Sequence, residues 1–246
     1  MKISFLGVLL LFFMSCKEKV VVITAQEIVD KSIEVSGGKR YTDHNTSFFF
    51  RNKKYVSESI DGKKVLKRVS YIDTIIITDR KTSKGFSRYI NDTLVHVSDS
   101  IAHRYANALN SVHYFARLPY GLDDRSVNKA YLGKEAIKGK TYYKVKITFD
   151  ENGGGDDYDD VYVYWFNIET FKPDYLAYDF HVNGGGQRFR EAFNERYVNG
   201  VRFVDYNNYK SKTEGTSIFK IADLFEKGQL ELLSKIVLSD VKVVKN

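Results

Sequence analysis

Apolar and polar residues alternate along most of this chain, which is the period-two signature of half-buried strands. Between Thr46 and Val97 the pattern runs strand, turn, strand. "SFFFRNKKYVSESI" comes first, then a turn at Asp61-Gly62, "KKVLKRVSYI", "TIIIT", "GFSRYI", a turn at Asn91-Asp92, and "TLVHV". From Lys140 the alternation returns more strongly. "TYYKVKITF" (141–149), "DVYVYWFN" (160–167), "DYLAYDFHV" (174–182), "QRFREAFNERYV" (187–198) and "VRFVDYNNYK" (201–210) predict an antiparallel meander. Its turns are two copies of Asn-Gly-Gly-Gly, one "ETFKP" and one Asn-Gly. "SKIVLSDVKVV" (234–244) reads as a last strand, preceded by a short helix at "ADLFEKG".

Two segments switch to helical spacing. "TAQEIVDKSIEVSGG" (24–38) opens on a Thr24/Glu27 capping box and stops at Gly37-Gly38, with Ala25, Ile28, Val29, Ser32 and Ile33 on one face. In residues 98–122, Ile101, Tyr105, Ala108, Leu109, Val112, Phe115 and Ala116 recur at helical spacing behind a Ser98/Asp99 cap, and Pro119 with Gly121 ends the run. No Pro-rich or Ser-rich linker divides the two strand-rich halves, so they are compatible with one continuous sheet in a single domain, residues 24–246. The expected fold is mainly β (α+β): a large antiparallel sheet, with the N-terminal and mid-chain helices as its cover.

Composition agrees with this. The 246 residues include 18 Tyr and 17 Phe but only 2 Pro, and 43% are hydrophobic, enough for a substantial core without disorder. The first residues, "MKISFLGVLLLFFMSC", place an apolar run from Phe5 to Met14 between Lys2 and the small Ser15. That run is shorter than the roughly 20 residues a membrane-spanning helix needs, so residues 1–15 read as a signal peptide. Cys16, the sole cysteine, excludes an internal disulfide. The segment resembles the lipobox of bacterial lipoproteins, which implies lipidation at Cys16, a linker over residues 16–23 and attachment to a membrane through the lipid. The net charge of +7 is spread among mixed acidic and basic residues and forms no block that would track a phosphate backbone, so nucleic acid is not an expected partner.

Candidate chemistry gathers around "DENGGGDDYDD" (150–160). In a meander this turn and the one at 183–186 share a rim, which brings Asp156, Asp157, Asp159 and Asp160 near Asp179, His181, Arg188 and Arg190. Those acids could ligate calcium, or simply solvate a permissive glycine turn. The EF-hand pattern fails, because Gly154 and Val161 occupy positions five and twelve counted from Asp150. Asp179 and His181 could act as acid and base, or make cross-strand charge pairs. No nucleophile elbow, P-loop, HExxH or cysteine pair occurs, so no cofactor or metal is assigned and no catalytic residue is named. The apolar side of the meander, covered by the mid-chain helix, supplies a candidate hydrophobic site. Tyr105, Leu109, Val112 and Phe115 come from the helix, and Val163, Trp165, Tyr178, Phe180, Phe189 and Phe193 from the strands. Whether this space is solid or hollow is a question of volume.

"SVHYFARLPYGLDD", "YLGKEAIKGKTYYKVKITF", "GGGDDYDDVYVYWFN", "DYLAYDFHVNGGGQRFREAFN" and "NGVRFVDYNNYK" resemble a family of Bacteroidota lipoproteins with no established activity, over essentially the whole mature chain. "CKEK" partly resembles the surface-export signal of that group. The helix ending in Gly-Gly, the antiparallel sheet and the covering helices are similar to the LolA/LolB-like fold, an open half-barrel whose concavity holds acyl chains. The resemblance implies a lipid-anchored envelope protein at the outer membrane, on its periplasmic face or at the cell surface, binding a lipid or other hydrophobic ligand. Two alternatives stand beside it: an interaction protein with a solid core, and a carboxylate-dependent hydrolase.

Overall fold

The computed structural model describes residues 23–152, 158–181, 184–213 and 215–246. Residues 1–15, read as a signal peptide, together with Cys16, Asp156 and Asp157, lie outside these residues. Helix α1 (Ala25–Ser36) begins at the capping box read from the sequence: Thr24 Oγ1 accepts from the Glu27 amide at 3.2 Å, and the Thr24 amide donates to Glu27 Oε2 at 2.8 Å. Gly37 follows at φ 147°, pressed so closely to the turn at Gly200 that a Cβ there would sit 3.3 Å from the Gly200 carbonyl oxygen. A one-turn helix α2 (Arg40–Asp43) leads into the strands.

Among the described residues, fourteen strands form two seven-stranded antiparallel sheets. The first sheet contains β1 (His44–Phe50), β2 (Lys53–Ile60), β3 (Lys63–Ile72), β4 (Ile75–Thr82), β5 (Gly85–Ile90) and β6 (Thr93–Val95) in sequence order. Helix α3 (Asp99–Ala116) then crosses to the second sheet. That sheet contains β7 (Val127–Ile137), β8 (Lys140–Phe149), β9 (Val161–Asn167), β10 (Pro173–Phe180), β11 (Gly186–Val198) and β12 (Val201–Ser211). A 3-10 turn (Ile218–Lys220) and helix α4 (Ile221–Glu226) precede β13 (Leu230–Ile236), which adds to the second sheet beside β12. The last strand, β14 (Ser239–Lys245), returns to the first sheet and pairs with β1.

The mainly-β, antiparallel, unclosed architecture is the one the alternation predicts, but its layout differs in four places. There are two sheets rather than one continuous sheet. "SFFFRNKKYVSESI" is two strands, because Arg51 and Asn52 both take positive φ and turn the chain. Residues 127–137 form an edge strand that the alternation hides, since a bulge between Tyr131 and Lys134 shifts the period midway. The segment 234–244 is shared between two strands in different sheets.

That last crossing is fixed by a buried acid. Asp205 on β12 is fully buried and accepts from the Leu238 amide at 3.0 Å, from Asn194 Nδ2 at 2.7 Å and from Arg196 Nη2 at 3.1 Å. Arg196 Nη2 also donates to the Leu238 carbonyl at 2.7 Å. The backbone groups at the point where the chain leaves one sheet for the other are thereby satisfied without a ladder.

Three apolar clusters hold the layers. Helix α3 puts Leu109 against Phe48, Tyr55 and Leu66 of the first sheet. Helix α1 covers one face of the second sheet, with Ile28 and Val29 on Val145, Ile147, Tyr164 and Phe166. Helix α4 and the 3-10 turn cover the opposite face, with Ile218 and Ile221 on Val163, Trp165, Tyr175 and Phe189. The second sheet is therefore buried on both sides, and this decides which residues can meet a ligand.

Candidate ligand cavity

Between the flank of α3 and the α1-covered face of the second sheet lies a cavity of about 750 Å³. It falls within the roughly 300–1,000 Å³ usual for small-molecule sites. The helix contributes Ala106, Asn107, Asn110 and Ser111, whose small or short side chains keep it from closing on the sheet, together with Val112 and Phe115. Phe50, Arg51 and Lys81 close it from the first sheet, and Ile236 and Leu238 from the crossing segment.

The strand wall is aromatic. Tyr162 and Tyr178 are register partners on β9 and β10, and their rings stack at 5.2 Å and 20°. Phe115 meets Tyr178 at 5.4 Å, and Phe149 meets Tyr162 edge-on at 5.6 Å. Burial, helped by the neighbouring Tyr114 and Asp160, pushes the Tyr162 phenol far above its ordinary range. Burial likewise pushes the Tyr114 phenol up to about 12. These hydroxyls are neutral at physiological pH, so the wall presents uncharged, largely apolar surface.

Arg190 interrupts that wall. It is 7% exposed, its Nη2 donates to Tyr178 Oη at 2.8 Å, and its guanidinium lies 3.8 Å from the centroid of Phe115. Arg188, two residues earlier on the same face of β11, lies over Phe180 and donates to the Gln187 carbonyl at 2.7 Å. At the adjacent rim His181 Nδ1 is 3.4 Å from Asp159 Oδ2 and 3.5 Å from Asp160 Oδ1, a grouping tight enough to be compatible with a cation. Burial raises the Asp179 carboxyl, with the Gln187 side chain and His181 opposing.

The structure divides the residues the sequence nominated. Val112, Phe115, Tyr178, Phe180, Asp160, Arg188 and Arg190 line the cavity, while Asp159 and His181 stand beside Asp160 at its rim. Asp179, expected near Arg188 and Arg190, pairs instead with Gln187, so its side chain leaves the sheet on the face opposite Arg188. Leu109 faces the first-sheet core instead. Tyr105 packs on Arg88, whose guanidinium is 4.0 Å from its ring, and on Phe86. Val163, Trp165 and Phe189 belong to the opposite core under α4, where Trp165 Nε1 donates to Glu135 Oε2 at 2.6 Å. Phe193 lies beneath Lys235, away from the lining.

The physical reason is register. Every residue of "VYVYWF" is apolar or aromatic, so alternation cannot say which half faces the helix. The ladder pairs Tyr178 with Tyr162 and Ala177 with Val163, one position from the expected facing, and a slip of one residue turns every side chain over. Tyr162 and Tyr206, which do line the cavity, were hidden by this ambiguity. The polar flank of α3 was hidden because it carries no apolar stripe.

A family model described as a family of unknown function, DUF6503, matches residues 2–237. The chain belongs to this family. No curated protein matches it. Among solved structures it is similar to a LolA superfamily protein from Nitrosomonas europaea, at 13% identity and a TM-score of 0.51, covering 92% of this chain and 95% of that one. It is also similar to a DUF1329 family protein from Desulfovibrio piger, at 10% identity and a TM-score of 0.51, covering 90% and 93% respectively. At such identities the likeness is one of fold: this DUF6503 member has a LolA-like fold. Among its described residues no helix is long and apolar enough to cross a membrane.

Proposed function

We propose that this protein is a lipid-anchored envelope protein that holds a lipid or other hydrophobic ligand in the cavity beneath α3. The observation that carries the reading is the space itself: about 750 Å³ is left open against stacked aromatic rings by the small side chains on the helix flank. A solid-core interaction protein would fill such a volume, because unfilled apolar space costs dispersion contacts. The LolA-like fold supports the same use, since the resemblance implies acyl chains held in the concavity. The lipobox-like sequence around Cys16 supports attachment to a membrane, with the outer membrane as the proposed location.

Lipid extraction and native mass spectrometry of the purified protein should find a bound lipid, and the emptied protein should take up a fluorescent fatty acid. Ser111→Trp, which pushes an indole into the cavity from α3, should abolish that uptake while the fold persists by circular dichroism. Absence of both bound lipid and uptake would overturn the reading. Separately, radiolabelled palmitate should enter the wild-type chain in cells and not the Cys16→Ser variant; equal labelling of the two would remove the anchor.

A further inference from the structure

The polar groups in the cavity define the head of its ligand. A guanidinium carries five N–H donors and stays charged. In Arg190, Nη2 has Tyr178 Oη, but Nε is buried and has no acceptor among the described residues. No carboxylate among the described residues lies within ion-pair distance of it. Phe115, Tyr178 and Tyr206 surround it at 3.8, 5.1 and 5.9 Å, and these ring faces attract the charge without accepting the Nε hydrogen bond. A buried cation held open toward a cavity without its counter-charge is costly unless something that enters the cavity completes it.

A further observation points the same way. The described lining residues include Arg51, Lys81, Arg188 and Arg190 against a single carboxylate, Asp160, which is set beside His181. Among the described residues the charge around Arg190 and Arg188 favours an anion.

Resting on the reading of this cavity as a lipid site, we infer that its ligand is a single-chain amphiphile with an anionic head, whose carboxylate or phosphate oxygens sit on the guanidinium of Arg190. The chain lies along Phe115, Tyr162 and Tyr178. Arg188, two residues or about 6–7 Å closer to the Gly186 end of β11, gives the head a second cationic station. A planar fork matches either anion.

The test compares hexadecanoate, hexadecyl phosphate and hexadecanol, three ligands of one chain length, by displacement of a fluorescent probe from the full chain at about pH 8. At least one of the two anions should bind about tenfold or more tightly than the alcohol, and the tighter of the two identifies the head. In Arg190→Met that preference should shrink to within about threefold, and Arg190→Lys should keep part of it. The inference is overturned if hexadecanol matches both anions in the wild-type protein, or if the preference survives Arg190→Met. Should Arg190→Met fail to fold, the wild-type ratio and Arg190→Lys still decide. Binding of the alcohol alone leaves the lipid reading standing and sinks this one, whereas binding of none of the three sinks both.

Discussion

The guanidinium carbon of Arg190 lies 3.8 Å from the ring centroid of Phe115, joining a strand of the second sheet to the helix that packs on the first. This contact ties the helix to the second sheet at the cavity wall. Phe115→Ala should enlarge the cavity and lower stability by about 1–3 kcal/mol in urea unfolding. That is less than the roughly 3–5 kcal/mol of a fully buried Phe, because Phe115 is only partly buried. A loss below about 0.5 kcal/mol would mean that the layers are held elsewhere.

Trp165 separates core from site. Trp165→Ala should destabilise the fold by about 3–5 kcal/mol, since the side chain is fully buried and leaves Glu135 without its indole partner. Affinity for a hydrophobic probe, measured well below the melting temperature, should be unchanged. A matching loss of affinity would return Trp165 to the ligand site.

The crossing between sheets depends on Asp205. Asp205→Ala strips acceptors from the Leu238 amide, Asn194 and Arg196 at once, for an expected cost of about 2–4 kcal/mol. Hydrogen exchange should accelerate first across Val237–Lys245, where β14 is held to the first sheet, before β9 and β10 respond. Uniform acceleration along the chain would contradict a local role.

His113 makes stability depend on pH. Burial between Phe48 and Tyr55 lowers its pKa from 6.5 to about 3, opposed by the hydrogen bond from Nε2 to the Lys67 carbonyl at 3.2 Å and reinforced by Arg117 and Lys64. The folded state therefore keeps His113 neutral while the unfolded chain takes up a proton below pH 6.5. Its contribution is complete above 6.5 and is lost as pH falls toward 3, at up to about 1.4 kcal/mol per unit. His113→Phe should flatten that part of the stability profile, and an unaltered slope between pH 6 and 4 would reject the assignment.

Much of this protein was legible without coordinates, because it rests on local rules. The Thr24/Glu27 cap, the Gly37 stop, the Asp61-Gly62 and Asn91-Asp92 turns and the antiparallel meander each follow from side chains a few residues apart. A rim where Asp159 and Asp160 meet His181 follows from meander geometry alone. Phe115, Tyr178 and Phe180 lie on faces that helical spacing and alternation assign to the apolar side, whereas Arg188 and Arg190, read as rim residues, line the cavity because β11 turns Phe189 to the opposite core.

What local pattern leaves open is which side of a doubly buried strand faces which helix. "VYVYWF" satisfies both faces equally, so only the pairing of Tyr162 with Tyr178, and the placement of α4 over Val163 and Trp165, separates ligand wall from core. Likewise the split of residues 234–244 between two sheets is set by Asp205 and Arg196, which sit some 30 to 40 residues away in sequence. The sequence by itself determined the strands, the caps and the supply of aromatic surface, since these depend on near neighbours. The tertiary structure decided the two-sheet layout, the hollow beneath α3 and the buried guanidinium of Arg190 inside it, because volume and charge placement arise only when distant segments meet.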